Sequence, residues 1–179
     1  MSVVASRYSE ALYELALEEN CLESIFDSYK LVNAVFTEQK DLIEVLSHPE
    51  IILSDKIDIV RGSFSEVNIN LLNFICVLIE KDRLREIFNI FEDFEILYNI
   101  HFNISIAKVY STTKLDDNQL ENLKNKLSKK INKKIEIKNI IDKELIGGIK
   151  IMIDNHVIDY SLKTKINNLS EELHKIQIR

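Results

Sequence analysis

A chain of 179 residues with 46% hydrophobic and 29% charged side chains has ordinary globular composition and enough apolar material for one domain or two small ones. Three glycines and one proline disfavour an all-β architecture that needs many tight turns and favour long helices, so the expected fold class is mostly α. Charge is divided unevenly, with 8 Lys+Arg against 19 Asp+Glu in residues 1–105 and 15 against 10 in residues 106–179, which gives −11 and +5 within the overall −6.

The opening segment places Val4, Tyr8, Ala11, Leu12 and Leu15 at helical spacing, with Glu10, Glu14 and Glu18 at other positions. Those acids also speak against a secretory leader. Asn20 is the expected stop. Leu22, Ile25, Phe26, Tyr29, Val32 and Phe36 form the next stripe, predicted to pack antiparallel to the first helix. A short third helix through Leu42, Ile43 and Leu46 must end before Pro49, whose ring disfavours a helical His48. Ser54 is the expected N-cap of a fourth helix through Ile57 and Val60, with Asp55 favourable at its positive end and Gly62 near its close. Asn70 to Glu80 is apolar on almost every side, so it must be surrounded by the bundle alone or by the bundle and a docked partner. The stretch Ile69 to Ile79 still falls short of the roughly 20 residues of a membrane span. Ile87, Ile90, Phe91, Phe94, Leu97 and Tyr98 mark a last helix from Arg83 to about His101, which makes six.

After Phe102 the period changes from helical to alternating, and a strand is expected in which Ile104 and Ile106 alternate with Ser105, Ala107 and Val109. Asp116 and Asp117 open a helix with Leu120, Leu123, Leu127 and Ile131 on one face and lysines on another. Ile135 and Ile137 belong to a second strand. Gly147 and Gly148 suit a bulge or a close backbone approach ahead of a hairpin, with Ile149, Ile151 and Ile153 on one face, a turn at Asp154-Asn155, and a return through Val157 and Ile158. Leu162, Ile166, Leu169, Leu173 and Ile176 give the final helix near-heptad spacing. The period switch and the charge step together divide the chain into an N-terminal helical bundle, 1–105, and a small C-terminal α+β domain, 106–179, with a short sheet and two helices.

Catalytic chemistry finds little purchase. His48, His101, His156 and His174 are scattered and lack ligand spacing, so no metal is expected. Gly147-Gly148 has no phosphate-loop context, and no nucleophile elbow occurs. Cys21 and Cys76 read as lone, buried thiols. No cofactor is implied. The Lys124 to Lys138 cluster would serve a helical cytosolic adaptor or RNA-binding regulator, but no aromatic residue interleaves with the lysines to stack bases. A solvated helix face accounts for it better, and nucleic acid is not an expected partner.

Three segments carry a family resemblance. Leu145-Ile146-Gly147-Gly148 followed by Val157-Ile158-Asp159 and Ser161 resembles the C-terminal signature of the delta subunit of bacterial F-type ATP synthases, relatives of the mitochondrial oligomycin-sensitivity-conferring protein. Asp154, Tyr160 and Thr164 stand where that family has small residues. Arg7-Tyr8-Ser9-Glu10-Ala11-Leu12 resembles its opening, and Glu80-Lys81-Asp82-Arg83-Leu84 its central segment, in the same order. The resemblance implies a non-catalytic stator subunit. It would bind the catalytic head through N-terminal helices of the alpha subunits, in a groove between the first and fifth helices that maps to Tyr8, Ala11, Leu12, Leu15, Ile75, Val77 and Leu78. It would meet the b-subunit peripheral stalk through its C-terminal domain, with Lys163, Lys165, Leu169 and Leu173 as candidates. Its implied location is peripheral, at the cytoplasmic face of the cell membrane, reached only through the complex.

Overall fold

The computed structural model describes residues 2–154 and 156–166. The protein is mostly helical with a small four-stranded sheet. In chain order the elements are α1 (Val3–Glu18), α2 (Leu22–Glu38), α3 (Lys40–Leu46), α4 (Leu53–Ser63), α5 (Ile69–Glu80), a 3-10 turn (Leu84–Glu86), α6 (Ile87–His101), β1 (Ile104–Ser111), α7 (Asp117–Ile131), β2 (Lys134–Ile141), β3 (Ile149–Ile153) and β4 (His156–Asp159). Residues 162–166 are helical. The chain divides into two compact units, Met1–Asn99 and Ile100–Arg179.

In the first unit, helix ends follow local chemistry. Asn20 takes φ +51° just beyond α1, and α3 stops at Leu46, ahead of Pro49. One expectation is corrected. Ile52, not Ser54, occupies the cap position of α4, and its carbonyl accepts from the backbone N–H groups of Asp55 and Lys56. Ser54 lies inside the first turn, where its hydroxyl donates to Asp55 at 3.2 Å. The last stripe is also broken at its start, because Leu84–Glu86 forms a 3-10 turn and the α-helix begins only at Ile87.

α5 is held by its beginning. The Asn68 side chain accepts from the Asn70 N–H at 2.9 Å, while its own backbone N–H and amide donate to Ser28 and Ser24 of α2, both at 3.0 Å. Leu71, Leu72, Phe74, Ile75, Cys76, Leu78 and Ile79 are buried along it. An aromatic cluster joins α2 to α6, with Phe26 stacked on Tyr98 at 3.5 Å and Tyr29 edge-on to Phe91 at 4.9 Å. Such ring pairs add to the stabilisation from burial alone.

The sheet of the second unit has the order β2-β1-β3-β4. β1 pairs parallel with β2 from Ile104↔Lys134 to Ser111↔Ile141 and antiparallel with β3 at Val109↔Ile151. The hairpin closes with Ile151↔Ile158. Ala107, Val109, Leu127, Ile135, Ile151 and Ile153 form the core, with Leu115, Leu123, Ile131, Ile137, Ile149 and Ile158 packed around it. β1 therefore turns its small residues inward and leaves Ile104 and Ile106 half-buried. Asn139 ties the layer together: its amide donates to the Val109 carbonyl and the Ser111 hydroxyl, and its carbonyl accepts from the Leu115 N–H.

Candidate partner-docking faces

α1 and α5 meet along one seam, where Tyr8 lies edge-on to Phe74 with ring centroids 6.2 Å apart. α1 turns Ala5, Ser9, Leu12 and Ala16 inward, a row of mostly small residues that lets the helix sit close to the bundle. The seven residues assigned to a groove from sequence separate into two groups. Tyr8 and Leu15 are half-buried, Ala11 is exposed, and Val77 is 41% exposed, so all four have surface to offer. Leu12, Ile75 and Leu78 are each 0% exposed, and their side chains belong to the bundle core.

Ile69 and Asn73 share the outward row of α5 with Val77, at i, i+4 and i+8. Sequence reasoning passed over them. The polar Asn73 within the apolar run 71–79 was the available signal, since it marks which side faces water.

In the second unit the functional candidates follow a tightly built turn. Asp159 accepts from the Ser161 backbone N–H at 2.8 Å and from the Thr164 hydroxyl at 3.0 Å, and Ser161 accepts from the Thr164 N–H at 3.3 Å. The Ser161 N–H is the main reason the Asp159 carboxyl sits below its usual range. This arrangement launches the helical residues 162–166. It lies against the glycine pair, with the Leu162 N–H donating to the Gly147 carbonyl and the Tyr160 N–H to Ile149, both at 2.9 Å. Gly148 has φ +83°, and a Cβ there would collide with the Tyr160 carbonyl oxygen. Lys163 and Lys165 project from this start as exposed cations. Leu169 and Leu173 lie outside the described residues.

Within the lysine cluster, Lys124, Lys126, Lys129 and Lys130 are exposed along α7. Lys133 instead pairs with Asp154 at 3.2 Å, an aspartate that also accepts from the buried Ser105 hydroxyl. Cys76 is buried, whereas Cys21 is only partly so and its sulfur accepts from the Asn70 amide at 3.6 Å. Among the described residues no three His, Cys, Asp or Glu side chains converge to hold a metal, and no helix is long and apolar enough to cross a membrane.

The profile of the ATP synthase delta (OSCP) subunit family matches residues 4–173. Proteins named ATP synthase subunit delta are similar over nearly the whole chain. The one from Lachnoclostridium phytofermentans is 36% identical, covering 98% of each chain, and that from Clostridioides difficile is 34% identical with the same coverage. The one from Exiguobacterium sibiricum is 34% identical over 96% of this chain and 97% of its own. In fold, the protein matches a chain of the Toxoplasma gondii mitochondrial ATP synthase hexamer with a TM-score of 0.72 at 17% identity, covering 96% of this chain and 98% of that one. With the opening, central and C-terminal motifs all in place within that span, the chain belongs to the ATP synthase delta (OSCP) subunit family and is a non-catalytic stator subunit of the F-type enzyme.

Proposed function

We propose that this stator subunit grips two partners at once, with its N-terminal domain taking alpha-subunit N-terminal helices of the catalytic head and its C-terminal domain taking the b-subunit peripheral stalk. The rotating shaft exerts torque on the head, and a tie to a fixed stalk keeps the head from turning with it. Holding one partner raises the effective concentration of the other, so two moderate contacts make a firm link. The complex holds the protein at the cytoplasmic face of the cell membrane.

The observation that carries this reading is the accessible row on the α1–α5 seam. Tyr8 and Leu15 offer apolar surface, Ala11 leaves room for a close approach, and Val77 supplies the opposite wall. Those are the properties by which a groove receives the apolar face of an amphipathic helix. An Ala11→Lys substitution places a long cation where the guest helix must approach. Affinity for an alpha-subunit N-terminal peptide is expected to fall by more than about tenfold. Because Ala11 is exposed, the melting temperature of the full chain is expected to change little. Unchanged affinity would remove this groove from consideration.

A further inference from the structure

A cleft of about 580 Å³ opens between α3, with the loop that follows it, and the segment that leads into α6. α3 and its loop contribute Lys40, Glu44 and His48, and the 3-10 turn contributes Arg85. Ile43, Pro49 and Phe88 supply an apolar wall. Cations are scarce in this half of the chain, with 8 Lys+Arg against 19 acids in residues 1–105, yet two of the eight meet here. Neither is neutralised. The ion pairs among the described residues join Lys30 to Asp27 and Lys133 to Asp154, and leave out both Lys40 and Arg85. Glu44 is the only acid that lines the cleft, and it follows Lys40 by four positions, the weaker order for a helical pair. Glu86, beside Arg85, is engaged by the Asn89 amide at 3.0 Å. The His48 Nδ1 accepts from the Glu50 N–H at 3.3 Å, which puts the proton of the neutral ring on Nε2 and makes that nitrogen a donor. Phe88 follows Arg85 by three positions, on the same side of the chain, and is 37% exposed.

We propose that this cleft takes an acidic peptide segment of a protein partner, in which one carboxylate side chain is flanked by apolar residues. The planar fork of Arg85 matches the two oxygens of a carboxylate, and Lys40 and His48 Nε2 are donors for the lone pairs that remain. The wall of Ile43, Pro49 and Phe88 takes the flanking apolar side chains. A free phosphate or a nucleic-acid strand would use the cations and leave that wall uncovered, and the −11 balance of residues 1–105 repels a polyanion. A single carboxylate is admitted, because screening over roughly 8 Å at physiological salt makes the adjacent cations outweigh the distant acids. No residue of α1 or α5 lines the cleft, so the inference does not rest on the docking proposed at their seam.

The test is chemical-shift mapping of the isotope-labelled full chain with N-acetyl-Leu-Glu-Leu amide, compared with its glutamine counterpart, which has the same shape and no charge. Shift changes are expected at the amides of Ile43, His48, Arg85 and Phe88, with apparent affinity about tenfold lower for the glutamine peptide. Arg85→Gln, at an exposed position, should weaken binding of the glutamate peptide by a similar factor. Arg61→Gln makes the same change in net charge at an exposed residue that does not line the cleft, and should bind as the parent does. Equal responses to the two peptides would overturn the proposal, as would equal weakening by the two arginine variants. Inorganic phosphate or a short single-stranded RNA that shifts these amides at least as tightly as the peptide would make the cleft an anion site of another kind and overturn it too. So would the absence of any response at concentrations on the order of 20 mM.

Discussion

Gly148 is the residue whose identity the backbone most strictly requires. Its φ of +83° is strained for any side chain, and the space a Cβ would need is taken by the Tyr160 carbonyl oxygen. Gly148→Ala is expected to cost at least about 2 kcal/mol, seen as a lower urea midpoint for the C-terminal unit; a midpoint equal to the parent's would show that the contact relaxes freely. Asp159, a few residues on, is held by charge-assisted hydrogen bonds from Ser161 and Thr164, and these keep its carboxyl below the usual range. Its carboxylate form is thus favoured on folding. The stabilisation is fully present above the unfolded value near pH 4 and is lost as pH falls through the lower folded value. The melting-temperature advantage of the parent over Asp159→Asn, present at pH 7, should therefore shrink in acid and disappear below the folded value. An advantage independent of pH would assign the effect to shape instead of charge.

At the scale of elements, α7 shows a helix specified from its first residue. Asp116 accepts from the Gln119 N–H at 2.7 Å and Gln119 returns a bond to the Asp116 N–H at 3.1 Å, a complete capping box. Asn132 closes the helix in the left-handed conformation at φ +57°. Asp116→Ala is expected to remove about 1 kcal/mol, measured as a loss of chain stability in urea, and a neutral result would mean that Leu115 and the sheet alone set where α7 starts. α4 shows the opposite case. Ser54 was the residue with capping chemistry, yet the chain enters the helix through Ile52 in an extended conformation, two residues early. A hydroxyl can cap only if the chain turns at its position. The approach from the Pro49 loop was not visible in the local sequence.

For the whole molecule, the division of labour proposed above for the two units is testable through charge. Lys163 and Lys165 lie in the first turn of the helix that starts at Leu162, the end where a cation is unfavourable. Replacing both with glutamine should leave stability unchanged or slightly higher. It should also flatten the salt dependence of the proposed binding to the b-subunit stalk, and an unaltered salt dependence would rule out electrostatic docking at these lysines. Helix existence, the change of period after Phe102 and the glycine-led hairpin were all legible in the residues, because hydrophobic spacing and φ > 0 chemistry act over a few positions. The motifs that mark the family were legible for the same reason, being short and fixed in order. The split of α5 into an inner and an outer face was not. Asn73 marks one outward position, but a helix apolar on nearly every other side does not show how wide its outer face is, and the packing of α4, α2 and α1 against it sends Ile75 and Leu78 to the core and leaves Val77 outward. The inward face of β1 was hidden likewise. Alternation states that two faces exist, but the choice of Ala107 and Val109 over Ile104 and Ile106 depends on Leu127 of α7 packing on one side of the sheet, a contact between residues far apart in the chain.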